Sequence, residues 1–340
     1  MAPNPIAPGT ADDPLDQDLR AARRRYVESR PRTQALHAGA REVLPGGNTR
    51  TVLYHGPFPL RVVRGWDSVL EDAVGHHYVD LLSNYSAALY GHAHPVLVAA
   101  VTTALREGVG PGAHTVHEIT MARALRALPH RRAGQVHQLR HRGQPDGPDR
   151  GPRPHRTGAR PGLRGGYHGG VLNFADGAVS TNAPYDVLVA PYNDAEAART
   201  LLHEHGEDVA AVLVEPMLGA SGCIPSEAEF LYALRATTSE VGALLVFDEV
   251  MTSRIGPHGM QQRLGVTADL TTLGKYLGGG LSFGAFGGRA DIMTMFDPGP
   301  SGGGRPCGDV QQQPRLDGRR ACQPDAALPT RGGRAAHRAW

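Results

Sequence analysis

The sequence predicts an α/β fold, a mostly parallel sheet with helices on both faces, and three observations carry that prediction. Between residues 170 and 288, continuous apolar runs alternate with amphipathic stretches of helical length, the pattern of strands buried on both sides and joined by covering helices. The chain has 340 residues, 40% hydrophobic and 20% charged, enough to build a large core. The polar groups that end the apolar runs, Glu215 and the pair Asp248-Glu249, fall at strand carboxyl ends, where such sheets gather ligands.

Taken in order, residues 1–40 are polar and Arg-rich, and one helix is expected over 15–40 on the apolar positions Leu19, Ala22 and Tyr26. From 59 to 80, PLRVVRG and SVLEDAVGHHYVDLL read as strands, with a turn at Asp72-Ala73-Val74-Gly75. A helix over 94–107 follows, with Val96, Val98, Ala99, Val101 and Leu105 as its expected buried face, and another over 115–128. Strands are expected at VLVAPY (187–192), AAVLVEP (210–216) and GALLVFDEV (242–250), with helices over 194–204 and 227–241 between them.

Two stretches break the pattern. Residues 130–164 contain nine Arg, six Gly, five Pro and four His, with Val136, Leu139 and Leu163 as the large aliphatics, and 301–340 is similarly rich in Gly, Arg and Pro. Neither is expected to bury enough apolar area to offset its chain entropy.

Composition narrows the function. A net charge of +2 argues against a polycation. The Arg-rich stretch lacks aromatics for base stacking, so no nucleic-acid partner is expected. Cys223, Cys307 and Cys322 are too widely spaced for a disulfide framework or a zinc pattern, and no metal is expected. Residues 1–14 carry no apolar signal core and no apolar run reaches membrane-spanning length, which predicts a cytoplasmic protein with no membrane partner.

Of 35 basic residues, 34 are Arg and one is Lys, Lys275. It follows the Asp248 strand in a glycine-flanked segment, LTTLGKYLGGG. A lysine that attacks a carbonyl must be partly neutral, which a desolvated or electropositive pocket provides. A strand-end carboxylate suits pairing with a protonated pyridine nitrogen, which makes such a ring an electron sink. Residue types alone leave open a strand-end cap for Asp248 and a solvated amine for Lys275.

The segments LPGGNTR (44–50), DLLSNYSAALYGHAHP (80–95), RGGYHGG (164–170), VEPMLGASGCIP (214–225), FDEVMTSR (247–254) and DLTTLGKYLGGGLSFGAFGGRADIM (269–293) together resemble the class III pyridoxal-phosphate aminotransferases, most closely their glutamate-1-semialdehyde aminomutase branch. The resemblance implies fold type I of the pyridoxal-phosphate transferases, with an N-terminal helix and strand segment (1–75), a cofactor-binding large domain (76–297) and a tail (298–340) where the small C-terminal domain is missing or scrambled. It implies that Lys275 carries the pyridoxal phosphate covalently and acts as catalytic base and acid. Asp248 would pair with the ring nitrogen, Val250 and Tyr167 would lie on its two faces with His168 beside Tyr167, and Glu215 would join the surrounding hydrogen bonds. Ser83, Asn84 and Tyr85 fall where the family lines its substrate pocket. A small amino substrate and a homodimer are implied. The main expected activity is conversion of glutamate-1-semialdehyde to 5-aminolevulinate. The alternatives are a transaminase of an amino acid or β-amino acid with an oxo-acid acceptor, and an inactive remnant.

The family's Ser-Gly-Thr phosphate turn, expected between residues 128 and 165, is absent from the sequence, as is its Gly-Thr-Phe-Asn-Asn-Asn-Pro stretch. Read one nucleotide later with permitted synonymous codons, residues 136–144 can encode Phe-Thr-Asn-Ser-Gly-Thr-Glu-Ala-Asn. In the same shift, 309–314 can encode Thr-Phe-Asn-Asn-Asn and begin a proline codon. Two frame errors are therefore expected, one opening near Gly134 and closing near Leu163, the other opening before Asp309.

Overall fold

The computed structural model describes residues 14–108, 112–127, 137–138, 160–170, 172–174, 182 and 186–297. Most of the Arg-rich stretch, and the tail from 298, lie outside them. The chain divides into two units, Met1–His114 with Lys275–Leu281, and Thr115–Gly274 with Ser282–Trp340.

In the first unit, the span expected as one helix is two, α1 (Pro14–Glu28) and α2 (Pro31–Val43). Proline at the start of α2 causes the break: its ring disfavours helical backbone at the preceding residue, and Arg30 lies at φ −134°, ψ 49°. An antiparallel meander follows, β1 (Val62–Trp66), β2 (Val69–Asp72) and β3 (His77–Val79), with the expected turn joining the last two. Buried Asp72 holds that turn, accepting the N–H groups of Val74 (2.9 Å) and His76 (3.0 Å) on Oδ1 and the Tyr78 hydroxyl (2.7 Å) on Oδ2. Arg30 Nη2 donates to the same hydroxyl at 2.7 Å, so the helix junction is tied to the meander.

The short turn α3 (Ser83–Ser86) has left-handed backbone at all four residues, φ 50°, 48°, 52° and 70°. In α4 (Pro95–Glu107) the expected buried face is corrected: Val96, Val98 and Leu105 are exposed, while Leu97 and Val101 are half-buried. Val96 and Val98 stand about 200° apart around a helix, so one face does not bury both. Leu97 packs instead toward Gly279, where an added Cβ would lie 3.1 Å from its Cδ1.

In the second unit come α5 (Val116–Ala127), β4 (His137–Gln138), β5 (Arg160–Leu163), β6 (Val187–Ala190), α6 (Ala195–His205), β7 (Ala211–Val214), β8 (Met217–Leu218), β9 (Ile224–Pro225), α7 (Ala228–Val241), β10 (Leu244–Asp248), α8 (Gly259–Leu264), β11 (Leu270–Gly274), β12 (Gly284–Gly288) and α9 (Ala290–Met293). The main sheet runs β4-β12-β11-β10-β7; β7, β10 and β11 are parallel, and β12 and β4 add an antiparallel edge. Separately, β5 pairs parallel with β6, and Leu163 is 1% exposed, so the Arg-rich stretch does contribute to a core at its C-terminal end.

The strands are apolar throughout because alternate side chains enter two cores. Val212, Val214, Leu245 and Phe247 pack with Leu202 of α6 and Phe230, Leu231 and Leu234 of α7. Ala211, Leu244, Val246, Leu270 and Phe286 pack with Ile292 and Met293 of α9. Helices on both faces are the result. Asp194 caps α6 by accepting the Ala197 N–H at 2.9 Å, and left-handed Gly242 (φ 70°) ends α7, so the chain enters β10 in register for Asp248 to finish the strand.

Candidate active site

Asp248 is the last residue of β10 and is 6% exposed. Its Oδ1 accepts the Thr272 hydroxyl and the Val250 N–H, both at 3.1 Å, and its Oδ2 lies 2.8 Å from His168 Nδ1. A carboxylate only accepts, so His168 carries its hydrogen on Nδ1. A carboxylate has about four acceptor positions, and the three donors among the described residues leave one open. His168 is buried, and its Nε2 has no partner among the described residues.

Glu215 follows β7 and is also buried. Its Oε1 accepts the Tyr167 N–H at 2.8 Å and its Oε2 the Gly219 N–H at 3.0 Å. Burial pushes its carboxyl above the ordinary glutamate range; His168 opposes that shift, and Asp248 adds to it. Tyr192, raised by its own burial, donates its hydroxyl to the Glu215 carbonyl at 2.8 Å. Tyr167 is 40% exposed, so its ring remains open to a ligand, and Val250 is half-buried. An added Cβ on Gly274 would lie 3.2 Å from Val250 Cγ1 and 3.1 Å from the Phe283 carbonyl, so the end of β11 closes tightly on Val250.

Five of the expected site residues, Tyr167, His168, Glu215, Asp248 and Val250, thus gather at the carboxyl ends of β7 and β10. Lys275 comes directly after β11 with left-handed backbone, φ 51°, and opens the segment that groups with the first unit. Ser83, Asn84 and Tyr85 belong to the first unit; Ser83 Oγ donates to the Ala88 carbonyl (3.0 Å) and the Tyr85 hydroxyl to the Val52 carbonyl (2.9 Å). Sequence reasoning missed Thr272, Tyr192, Gly219 and Ser221. A hydroxyl on an apolar strand or a glycine in a loop has no pattern that marks it.

The donor set fits a pyridoxal ring: Asp248 retains an acceptor for a ring N–H, and Val250 and Tyr167 offer an aliphatic and an aromatic surface. Among the described residues no helix is long and apolar enough to cross a membrane.

Residues 164–306 match the family model of the class-III aminotransferases. The chain is 47% identical over 291 residues to a β-phenylalanine transaminase of Variovorax paradoxus, covering 84% of this chain and 66% of that protein. The crystal structure of that organism's β-phenylalanine aminotransferase superposes with a TM-score of 0.76 at 45% identity, again over 84% and 66% of the two chains. A glutamate-1-semialdehyde 2,1-aminomutase of Nitratidesulfovibrio vulgaris is 34% identical over 84% of this chain and 70% of its own. A transaminase solved with pyridoxal phosphate bound superposes at TM-score 0.69 and 31% identity, over 79% and 67%. The chain spans about two thirds of the length of these relatives.

Proposed function

The chain belongs to the class-III aminotransferase family, and from that premise we propose that it is a pyridoxal-phosphate-dependent transaminase of β-amino acids with an oxo acid as acceptor. The observation that carries the reading is buried Asp248, fixed by Thr272, His168 and the Val250 N–H with one acceptor position open. The substrate class follows the likeness of 47% to a β-phenylalanine transaminase against 34% to 38% to aminomutases. The aminomutase expectation therefore gives way to its transaminase alternative.

Pyridoxal phosphate, when bound, supplies an aldehyde that captures the substrate amine and a ring that draws electrons from the carbon bearing it. In this reading Asp248 holds the proton of the ring nitrogen, and His168 and Thr272 keep its carboxylate aimed. Val250 and Tyr167 exclude water from the two ring faces. Lys275 would hold the cofactor through its amine, and that amine would serve as the base and then the general acid for the proton on the carbon that bears the substrate nitrogen. Ser83, Asn84 and Tyr85 line the substrate side, and a second copy of the chain completes a homodimer.

Borohydride reduction with excess pyridoxal phosphate, followed by peptide mapping, is expected to place the label on Lys275, and β-phenylalanine is expected to donate its amine to an oxo acid. On the frame-restored chain, a label elsewhere, or none, overturns the reading.

The recovery of a phosphate turn from residues 136–144 and of the asparagine stretch from 309–314, in one shift direction, favours a second statement: the coding sequence carries two frame errors. A helix-terminal phosphate turn provides several charge-assisted bonds, so the frame-restored chain is expected to bind pyridoxal phosphate far more tightly than this one. The nucleotide sequence decides it, since codons that forbid the alternative peptide end the idea.

A further inference from the structure

In the glycine-rich loop that carries Tyr167, Gly165, Gly166, His168 and Gly169 are buried, while Tyr167 itself is exposed. Gly165 and Gly169 have left-handed backbone (φ 89° and 98°), and an added Cβ on Gly166 would lie 3.0 Å from the Leu163 carbonyl and 3.1 Å from His168 Nε2. Its internal bonds, such as His168 N–H to the Leu172 carbonyl (2.8 Å) and Phe174 N–H to the Gly166 carbonyl (2.7 Å), close it on itself, and the Arg164 N–H, donating to the Ala190 carbonyl at 2.8 Å, anchors its start to β6.

Beyond that start, three side chains tie the loop to its surroundings. Glu215 takes the Tyr167 N–H on one oxygen and the Gly219 N–H on the other, joining this loop to the one that follows β7. Ser221, farther along that second loop, donates its hydroxyl to the Gly165 carbonyl at 2.7 Å. His168 binds Asp248. Gly219 admits the arrangement, because a Cβ there would lie 2.6 Å from Met251 Sδ and 3.4 Å from Glu215 Oε2. Tyr192 braces the Glu215 backbone from its other side.

Burying a carboxyl to join two loops is an expensive way to obtain stability, since apolar packing would serve at lower cost. What a bidentate acceptor adds over apolar packing is direction: it fixes two backbone N–H groups at set angles. We propose that Glu215 and Ser221 are positioning residues that set the height and tilt of Tyr167 beside Asp248. The proposal rests on the cofactor reading above, in which Tyr167 covers one ring face.

The test uses the 340-residue chain and its Glu215→Ala, Glu215→Gln, Ser221→Ala and Tyr167→Ala variants, with two readouts. In hydrogen–deuterium exchange of the cofactor-free protein, Glu215→Ala is expected to speed exchange in the peptide covering 164–170 by about tenfold, the loss of one charge-assisted bond. Peptides from α7 and β10 stay unchanged. Ser221→Ala gives a smaller rise, and Glu215→Gln, which keeps one amide oxygen, restores part of the protection. In absorbance titrations with pyridoxal phosphate, Glu215→Ala and Tyr167→Ala each weaken binding, and the double variant is no weaker than Tyr167→Ala alone. Unchanged exchange at 164–170, or a rise spread equally over α7 and β10, overturns the proposal. So does additivity in the double variant. If the 340-residue chain takes up no pyridoxal phosphate, the titrations are made on the frame-restored chain, where no uptake overturns the functional reading, and the exchange result decides the tether. If Glu215→Ala does not fold, Glu215→Gln and Ser221→Ala carry both comparisons.

Discussion

Thr272 Oγ1 donates to Asp248 Oδ1 at 3.1 Å, and the two residues are register partners on the parallel strands β11 and β10. Parallel pairing thus brings a hydroxyl to a carboxyl 24 residues earlier in the chain, at a position with 0% exposure for Thr272. Valine has nearly the same shape and lacks the donor. A hydrogen bond to a charged group is worth about 1.5–3 kcal/mol, so Thr272→Val is expected to weaken pyridoxal phosphate about tenfold or more in an absorbance titration. Unchanged affinity would mean that the aim of Asp248 does not depend on this bond.

Lys275 is the chain's sole primary-amine side chain. Lys275→Arg keeps the charge but does not form an imine with an aldehyde, since guanidinium stays protonated. The variant is expected to lose all borohydride-stable label while its circular dichroism spectrum remains that of the parent. Retention of the label would assign the covalent link to a site other than residue 275.

Lys275, Asp248 and Glu215 stand out as candidates in the sequence for different reasons. Lysine stands out against 34 arginines, and acids at the ends of apolar strands have few structural excuses. The strands β7 and β10 and the helices α6 and α7 were legible because period and cap agree, as at Asp194 and Gly242. By contrast, β12 reads GAFGG, and nothing in three glycines indicates a strand; pairing with β11 makes it one, and Gly288 is required because a Cβ there would strike the Asp269 carbonyl. The left-handed run at Ser83–Ser86 was equally hidden, since Asn84 visits that backbone only as a single residue and serine and tyrosine disfavour it. Thr272 and Ser221 escaped because their roles depend on which segments the fold brings together.

Acid sensitivity is expected in the first unit through Asp72. Burial by itself would raise this carboxyl, but bonds from the Tyr78 hydroxyl and the N–H groups of Val74 and His76 outweigh it, bringing the pKa from 3.8 down to about 2. A depressed carboxylate contributes stability above its unfolded pKa, and that stability is lost as pH falls through the folded value. Asp72 should therefore contribute about 2 kcal/mol at pH 6, fading between roughly pH 4 and 2. Urea midpoints of the parent should fall across that window, whereas Asp72→Asn should be less stable at pH 6 and show a flatter decline. Parallel curves would place the acid sensitivity elsewhere.

Gly259 and Gly256 make a matched pair for testing how the Glu249 carboxylate is seated. Glu249 is 1% exposed and accepts the Met260 N–H (2.9 Å) and the Gln261 side-chain amide (3.0 Å), which anchors the start of α8 next to Asp248. Gly259 has left-handed backbone, φ 61°, and a Cβ there would strike Glu249 Oε2. Gly259→Ala thus combines about 1 kcal/mol or more of backbone strain with displacement of a buried acceptor. Gly256 has no atom within 4 Å of a built Cβ. Thermal denaturation should show a fall of several degrees for Gly259→Ala and almost none for Gly256→Ala. Because Glu249 adjoins Asp248 in the chain, the first variant should also weaken pyridoxal phosphate binding. Equal melting temperatures for the two variants would show that the Glu249 carboxylate can move aside freely and that its anchoring of α8 contributes little.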